Sequence, residues 1–286
     1  MVDVAKTPGF TVLMPVYGGD NAAFARAAFD SVTTAQQLRP DNAVIVVDGP
    51  VGDDIEVWLA EVGDRPDVTV VRIAKNAGLA NALNVGLAQV TTPLVARMDA
   101  DDISLPQRFA LQIPMFDQGY DVVGGAIAEF VDDPDKRLAV RSVYTVPADI
   151  ESHARLASPL HHPSVVFRKD AVVESGGYPQ LAQMEDYLLW ARMLMRGCKI
   201  GNVADVLLCY RVGHGAYSRR GGGAMARSEA QLQREFLAMG FTSRRQYLRN
   251  KVVRGSVYRL MPTTLRRAAY SVWTRVRATR HRDGQP

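Results

Sequence analysis

Three aspartates follow a short run of apolar residues in the middle of this chain. The run Pro93–Ala96 predicts a buried parallel strand, and Asp99, Asp101 and Asp102 come at its carboxyl end. Open α/β sheets bind ligands at that end of their strands. Mg²⁺ and Mn²⁺ are held in proteins by carboxylates together with phosphate oxygens. The segment therefore predicts either a metal–diphosphate site or an acidic loop in which Asp102 or Ser104 caps the next helix.

A second carboxylate pair, Glu185 and Asp186, precedes the helical sequence Tyr187–Met195. Carboxylates in the first turn of a helix are stabilised by the helix dipole, so a purely structural role accounts for the pair. The alternative is a general base directed into a substrate site, because an ionised carboxylate can accept the proton of an attacking hydroxyl. Both interpretations remain open at the level of sequence.

Other residues suited to ligand binding follow the first two predicted strands. Strand one ends in Pro15, Val16 and Tyr17, where backbone groups could read the edge of a flat heterocycle. Strand two ends in Asp48, placed either to accept from a ribose or base or to act as a turn residue. Asn76 lies just before a predicted helix N-terminus, which favours anions. These strand ends and the aspartates predict a nucleotide site, although no G-x-G-x-x-G or Walker A sequence accompanies them.

A basic, glycine-rich stretch follows the last predicted strand. It contains Arg211, His214, Arg219 and Arg220. Guanidinium groups suit a diphosphate, and histidine can bind a metal or donate to a phosphate. Loops of this kind can order on ligand binding and exclude water. The alternative is an arginine-rich surface loop without a ligand.

The first hundred residues alternate between strand-like and helix-like sequence. The predicted strands are Phe10–Val16, Ala43–Val47, Val68–Ile73 and Leu94–Met98, and the predicted helices are Asn21–Gln37, Asp54–Val62 and Gly78–Val90. This order predicts a parallel sheet with right-handed crossovers. The pattern then changes, with predicted strands at Val122–Val131, Arg137–Tyr144, Ser164–Phe167 and Val206–Tyr210 and predicted helices at Leu105–Phe116, Tyr187–Met195 and Glu229–Met239.

Composition and charge narrow the class of protein. The chain has 286 residues, 47% of them hydrophobic, and its two cysteines have no metal-ligand spacing, which favours a reducing cytosol. No signal peptide or membrane-spanning run is evident. Residues 242–286 contain twelve Arg or Lys and one acid, whereas the remainder has a net charge of −7. An acidic body with a basic tail suggests an anionic partner for the tail.

Taken in order, these segments resemble family 2 glycosyltransferases with the GT-A fold. Within that family the chain is similar to single-transfer enzymes of bacterial exopolysaccharide, capsule and O-antigen assembly, including the amylovoran type. The resemblance covers about residues 9–240 and is carried by VLMPVY at 12–17, VVDG at 46–49, KNAGLANALNVGL at 75–87, ARMDADD at 96–102, HHPSVVFRKDAV at 161–172, GGYP at 176–179, EDYLLWARM at 185–193 and YRVGHGAYS at 210–218.

The resemblance implies a fold and a domain organisation. It implies an α/β, Rossmann-like nucleotide-diphospho-sugar transferase with a mostly parallel central sheet. The catalytic domain would span residues 1–241, with a nucleotide-binding half at about 9–102 and an acceptor half at about 103–241. Residues 242–286 would form the basic, amphipathic helical tail.

The resemblance also implies roles for the matching residues. Asp186 would be the catalytic base, assisted by Glu185, and Asp101 would be the favoured direct ligand of Mn²⁺ or Mg²⁺. The remaining assignments are Pro15, Val16, Tyr17, Asp48, Asn76 and Asp99 at the nucleotide, Asp99 and His214 at the metal, and Arg211 and Arg219 at the diphosphate. The implied reaction is inverting: the acceptor hydroxyl attacks the anomeric carbon opposite the departing nucleoside diphosphate, and the metal neutralises its charge.

Two departures from the family pattern bear on the subclass of enzyme and on the nucleotide base. The Q-x-x-R-W element of processive members is absent, which disfavours synthases of the cellulose or hyaluronan kind. Gly18 and Gly19 stand where a small polar residue usually follows the first strand, so the nucleotide base stays open. A UDP-sugar is the favoured donor.

The basic tail predicts two helices separated by Pro262. Trp273 lies on an apolar stripe of the second helix, and Arg266 and Arg267 flank that stripe. This arrangement suits a helix lying on an anionic leaflet, to which each basic residue contributes on the order of 1 kcal/mol. The alternative is packing against the catalytic domain or a partner subunit. Nucleic acid is disfavoured because the acidic body would repel it.

The sequence therefore predicts a metal-dependent, inverting transferase that moves one sugar to a glycan acceptor, which we expect to be lipid-linked. We expect it in the cytoplasm, peripheral on the inner face of the cell membrane. Two alternatives remain: a polyprenyl-phosphate glycosyltransferase, and a non-catalytic protein that binds glycans or membranes.

Overall fold

A computed structural model of the chain describes residues 8–213 and 223–260, with side chains through residue 254. Its strands form one sheet in the order β3-β2-β1-β4-β8-β6-β9-β5, and β7 pairs with β6. The strands are β1 (Phe10–Tyr17), β2 (Asn42–Asp48), β3 (Val68–Ile73), β4 (Leu94–Arg97), β5 (Ile103–Ser104), β6 (Val122–Phe130), β7 (Ala139–Arg141), β8 (Val166–Arg168) and β9 (Ile200–Arg211).

Helices cover the sheet and extend the domain at its carboxyl end. They are α1 (Ala22–Val32), α2 (Asp53–Gly63), α3 (Leu79–Gln89), α4 (Arg108–Gln112), α5 (Pro147–Ala154), α6 (Lys169–Glu174), α7 (Glu185–Met195), α8 (Gly223–Ala238) and α9 (Arg244–Leu260). Among the described residues, no helix is both long enough and apolar enough to cross a bilayer.

The parallel half of the sheet confirms the prediction from sequence. Strands β1–β4 are mutually parallel, with β1 between β2 and β4. β1, β2 and β4 are nearly continuous apolar runs because helices cover both faces of a parallel sheet, whereas β3, at the edge of the sheet, is partly exposed and contains Thr69 and Arg72. One hydrophobic core lies beneath α1 and α2, and a second lies beneath α3 and α7. In the first core the rings of Phe29 and Trp58 pack edge to face, with 6.0 Å between their centroids.

The second half of the sheet is mixed. The long pairing of β6 with β9 is parallel, whereas β8 pairs antiparallel with both β4 and β6. β8 therefore joins the two halves, and the end of β4 lies at this junction. Ligand sites of open α/β sheets occur where strand order changes direction.

Several predicted element boundaries were wrong. The predicted helix Asn21–Gln37 ends at Val32, because Ser31 and Thr33 donate their hydroxyls to the carbonyls of Ala28 and Phe29 and compete with the next turn. The predicted helix Leu105–Phe116 begins at Arg108 and continues as a 3₁₀ segment from Ile113, next to Pro114. Pro114 cannot donate the backbone hydrogen bond that an α-helix needs.

Candidate active site

The parallel strands bring the predicted nucleotide residues to one edge of the sheet. Tyr17 and Asp48 end neighbouring strands and are paired in register. Tyr17 is 45% exposed, whereas the side chain of Val16 lies in the core. Pro15 is partly buried. The exposed ring of Tyr17 is thus available at this edge, and Val16 offers only backbone groups.

The carboxylate of Asp48 binds the backbone just before α3. Its two carboxylate oxygens accept from the backbone N–H groups of Ala77 (2.8 Å) and Gly78 (2.9 Å). The Asn76 amide in turn donates to the Asp48 carbonyl. Asp48 therefore fixes the turn before α3, which is the structural alternative that its position in the sequence allowed. Only the remaining lone pairs of its carboxylate can accept a hydrogen bond from a ligand.

The three aspartates after β4 form a compact acidic cluster. Carboxylate oxygens of Asp99, Asp101 and Asp102 lie within 4.8 Å of one another. Asp102 is fully buried; one of its oxygens accepts from the backbone N–H of Arg211, and the other has no hydrogen-bond partner among the described residues. Burial and the nearby Asp99 raise the pKa of Asp101 to about 6. Such a set of concentrated oxygen ligands fits a hard divalent cation.

The alternative in which this loop caps a helix is wrong. Helix α4 begins beyond it, with Gln107 at the N-cap position and no side-chain cap. Ser104 instead lies in β5, where its hydroxyl accepts from the buried amide of Gln36. The carboxylates are therefore not needed to satisfy the backbone of a helix.

A buried arginine lies beneath the acidic cluster. Arg97 is the last residue of β4, is 3% exposed and forms an ion pair with Asp99. Its Nε and Nη1 groups are buried and make no hydrogen bond with any described residue. Arg97 is not among the site residues predicted from sequence, and the signal that marks it is a charged residue at the end of an otherwise apolar strand.

The carboxylate pair opens helix α7, as predicted. Glu185 is 7% exposed, and its carboxylate accepts from its own backbone N–H and from that of Gln183. Gln183 has a φ of 65°, the left-handed region that non-glycine residues rarely adopt. This turn holds Glu185 beside Asp186. Burial, followed by the charge of Asp186, raises the pKa of Glu185 to about 7.

Both acidic groups act on the same buried residues. Arg97 pairs with Asp99 and also opposes the rise in the pKa of Glu185. Burial raises the pKa of the Tyr178 hydroxyl, and the charges of Asp186, Glu185 and Asp99 raise it further. A charged group shifts the pKa of another group noticeably only when the two lie close together. The two acidic groups, which are far apart in sequence, therefore converge on Arg97 and Tyr178.

Tyr178 is held in place from two sides. Its hydroxyl lies 3.1 Å from Nε2 of His162, and its backbone N–H and C=O both bond to the Asn84 amide of α3. Gly177 allows this approach: it has a φ of 65°, and a Cβ there would lie 2.7 Å from Asn84 Oδ1. The double glycine of the GGYP segment is thus a backbone device that fixes Tyr178.

Arg211 lies beside the acidic cluster, although its side chain is largely committed to protein groups. Nε donates to the Asp101 carbonyl and Nη1 to the Val131 carbonyl, each at 2.8 Å. The guanidinium lies 3.8 Å from the ring centre of Phe24 and 4.4 Å from that of Phe130. Arg211 therefore fixes the loop that carries the aspartates.

Several predicted site residues lie outside the described residues: His214, Arg219 and Arg220 of the glycine-rich stretch and Arg266, Arg267 and Trp273 of the tail. A separate cleft of about 570 Å³ lies between α5 and α9, and none of the predicted site residues lines it.

Comparison with known proteins identifies the family. The model of glycosyl transferase family 2 matches residues 11–172, which include β1–β4, the acidic cluster and β8. The chain belongs to glycosyltransferase family 2. The family predicted from sequence is thereby confirmed, and the motifs between residues 12 and 172 lie within the match.

Relatives of this family 2 glycosyltransferase extend over nearly the whole chain. It is 36% identical to the amylovoran biosynthesis glycosyltransferase AmsE of Erwinia amylovora, over 90% of this chain and 93% of that protein. It is 32% identical to the UDP-Gal:alpha-D-GlcNAc-diphosphoundecaprenol beta-1,3-galactosyltransferase of Escherichia coli, over 92% of this chain and 96% of that enzyme. Both relatives match at least 90% of this chain.

Solved structures confirm the GT-A fold. S. aureus TarS 1-349 in complex with UDP-GlcNAc has a TM-score of 0.68 at 15% identity, over 88% of this chain and 76% of TarS. The mannosyltransferase PcManGT of Pyrobaculum calidifontis, in complex with GDP-Man and Mn2+, has a TM-score of 0.59 at 20% identity, over 88% of this chain and 70% of that one.

Proposed function

We propose that this enzyme is an inverting, metal-dependent glycosyltransferase that moves one sugar from a nucleotide-diphosphate donor to a glycan acceptor in bacterial surface polysaccharide biosynthesis. The observation that carries the proposal is the convergence of the aspartate cluster and the Glu185–Asp186 pair on Arg97 and Tyr178. Inverting, metal-dependent sugar transfer uses a cation at the leaving diphosphate and a base on the opposite side of the anomeric carbon. Here the two acidic groups lie around one buried centre.

The acidic cluster fits a divalent cation. Asp101 is the proposed direct ligand and Asp99 its partner toward the nucleotide. Burial and the charges of Asp99 and Asp101 raise the pKa of the neighbouring Asp102 well above its usual range, and one oxygen of Asp102 has no hydrogen-bond partner among the described residues. A bound Mn²⁺ or Mg²⁺ supplies Lewis-acid stabilisation of the departing diphosphate. Arg97 keeps the Asp99 carboxylate fixed through its ion pair. His214 and Arg219 are proposed to contact the metal and diphosphate from the glycine-rich stretch.

Asp186 is the proposed catalytic base. It is partly buried and stands at the beginning of α7, next to a carboxyl whose pKa is raised to about 7. When two carboxyl groups lie side by side, the charge of one raises the pKa of the other, so that one of them ionises more readily. The ionised carboxylate of Asp186 would take the proton of the acceptor hydroxyl as the new glycosidic bond forms.

The donor and the acceptor are proposed from the relatives. TarS binds UDP-GlcNAc, and the Escherichia coli relative is named for a UDP-Gal donor and a diphosphoundecaprenol-linked acceptor. We therefore propose a UDP-sugar as donor, with Pro15, Val16, Tyr17, Asp48 and Asn76 along the nucleoside, and a lipid-linked glycan as acceptor.

A lipid-linked acceptor would place the enzyme at the inner face of the cell membrane. We propose that the basic tail, through Arg266, Arg267 and Trp273, holds it there as a peripheral protein. The strong excess of basic residues after position 242 supports this location.

Transfer assays test the proposed function. The full-length protein is incubated with labelled UDP-sugars, Mn²⁺ and a synthetic glycan–diphosphate–lipid acceptor, and the anomeric configuration of the product is determined by NMR. We expect inversion, loss of product in excess chelator, and a fall of about 10²–10⁴-fold in kcat for Asp186→Asn. Asp64→Asn, at an exposed position after α2, is the matched control. A product with retained configuration, or full activity in Asp186→Asn, would refute the mechanism.

A further inference from the structure

The outward face of α9 combines exposed aliphatic and basic side chains. Leu248 is 61% exposed, Val252 68% and Val253 50%, and what sets them apart from single exposed apolar residues is that all three lie on one short stretch of a basic helix. Helix α9 carries six Arg or Lys and no acidic residue. The composition of this helix differs sharply from that of the acidic body on which it packs.

The helical repeat sorts these side chains into a pattern. Leu248 and Val252 are one turn apart and share the centre of the exposed face. At 100° per residue, Arg244 and Lys251 lie along one side of this pair, and Arg245 and Arg249 lie along the other. All four basic residues are exposed: Arg244, Arg245, Arg249 and Lys251. The guanidinium of Arg249 also donates to Asn250 Oδ1, so Arg249 lies at the edge of this face and the other three are its outward cations. The result, which we call the α9 ridge, is an aliphatic line bordered by cations on both sides.

The inner face of α9 is fixed to the domain, so the ridge has a defined orientation. Asn250 is fully buried and donates to the carbonyl of Arg155 and to the side chain of Gln233. Arg254 forms a two-point ion pair with Glu229 of α8 and also donates to the Leu156 carbonyl. These buried polar contacts hold the helix against α8 and the end of α5 and leave the opposite face outward.

We propose that the α9 ridge is a docking surface for an anionic lipid bilayer. Aliphatic side chains at the centre of such a face enter the boundary between head groups and acyl chains, while long Arg and Lys side chains extend to the phosphates. The proposal deepens the proposed membrane location and rests on it, because it assigns contact to α9, the folded first helix of the basic tail, in addition to the residues beyond position 260 proposed above.

Charge and size favour a bilayer over a protein partner. The ridge offers two central aliphatic side chains and four cations, whereas a stable protein interface buries roughly 800 Å² on each partner around a contiguous apolar centre. A bilayer needs no such centre, because its phosphates surround each inserted side chain. The acidic remainder of the protein would be repelled by the same lipids, which orients the ridge toward the membrane.

Vesicle sedimentation tests the ridge in the full-length protein. Vesicles of phosphatidylcholine with about 30% phosphatidylglycerol are compared with vesicles of phosphatidylcholine alone. Wild type should bind the anionic vesicles selectively, and binding should weaken as salt increases. Arg245→Gln/Lys251→Gln should lower the vesicle partition coefficient by about 25-fold, since each of the two cations near the surface contributes about a factor of five. Leu248→Ser/Val252→Ser should lower it at least about ten-fold.

Matched controls lie elsewhere on the surface. Val57→Ser removes an equally exposed aliphatic side chain (60%) from α2, and Arg39→Gln removes an exposed cation. Both should sediment like wild type. Circular dichroism and thermal unfolding should be unchanged in all variants, because each substituted side chain points into solvent.

The outcomes separate the ridge from the tail and from the enzymatic proposal. If the ridge variants bind as wild type does while Arg266→Gln/Arg267→Gln/Trp273→Ala loses binding, the ridge proposal is overturned and the tail proposal stands. If wild type binds no anionic vesicle, both membrane proposals fail. Transfer to a short, water-soluble acceptor is measured in parallel, and its rate should not change in the ridge variants whichever result is obtained.

Discussion

Replacing Glu185 by glutamine should stabilise the metal-free protein at alkaline pH and do little at acid pH. Glu185 is 7% exposed, and burial together with Asp186 raises the pKa of its carboxyl from 4.5 to about 7. The folded state therefore holds a proton that the unfolded chain releases above pH 4.5. Stability falls as pH rises from 4.5 to 7, and the loss is complete above pH 7.

The size of the effect follows from the two pKa values. At about 1.4 kcal/mol for each pH unit between them, ionising Glu185 in the folded protein costs on the order of 3 kcal/mol. Glutamine resembles the protonated carboxyl, and its carbonyl can still accept from the backbone of Gln183. The variant should therefore gain on the order of 3 kcal/mol at pH 8 and less than about 1 kcal/mol at pH 5.

Urea unfolding at pH 5 and pH 8, in chelator, measures the two gains. Glu151→Gln, at an exposed position in α5, is the control and should alter stability little at either pH. An equal gain from Glu185→Gln at both values of pH would refute the argument, since it would show that Glu185 ionises normally in the folded protein. A loss of stability at pH 8 would show that its charge is favourable, and the carboxyl would then be a helix-stabilising group.

Three further predictions concern the cluster and its support. Asp101→Asn should abolish Mn²⁺-dependent binding of UDP in isothermal titration calorimetry, and an unchanged titration would remove the metal assignment. Arg97→Gln should lower the free energy of unfolding by about 1–3 kcal/mol, because it leaves the partly buried Asp99 without its cation; urea denaturation measures this, and a loss below about 0.5 kcal/mol would contradict a paired role. Gly177→Ala should cost about 1–3 kcal/mol, since its φ of 65° and the proximity of Asn84 leave no room for a Cβ; an unchanged Tm in calorimetry would count against the described turn.

The parallel half of the fold was predictable because its signals are local. Strands β1–β4 are apolar runs of four to eight residues bounded by turn residues, and the predicted strand Val68–Ile73 is observed without change. The acidic cluster was predictable for the same reason, since strand and carboxylates are adjacent in sequence. Family membership rested on the order of such segments along the chain.

The second half of the sheet was less predictable because its signals are distant contacts. The predicted strand Val206–Tyr210 is the end of the longer β9, which begins at Ile200. The early part of β9 contains Asn202, which is polar yet 4% exposed, because its amide donates to the carbonyls of Tyr144 and Pro159. Neither partner can be inferred from the neighbouring sequence.

Arg97, at the centre of the candidate site, was not predicted as a site residue for a related reason. An arginine before an acidic loop is ordinarily read as a surface residue, since charged side chains are rarely buried without a partner. Arg97 becomes exceptional only in the fold, where it is buried and lies near Asp99, Asp102 and Tyr178. Its relation to Glu185 depends on the packing of elements that are almost ninety positions apart.

The contact between Asp48 and the first amides of α3 has a consequence for how quickly a donor is recognised. Because both carboxylate oxygens already engage Ala77 and Gly78, the wall between the second strand and the third helix is rigid before any nucleotide arrives. A preformed wall avoids the entropy loss of ordering a flexible segment during association. The nucleoside should therefore bind to a preformed surface at this edge of the sheet. Any slow closing motion during turnover must arise in another part of the molecule.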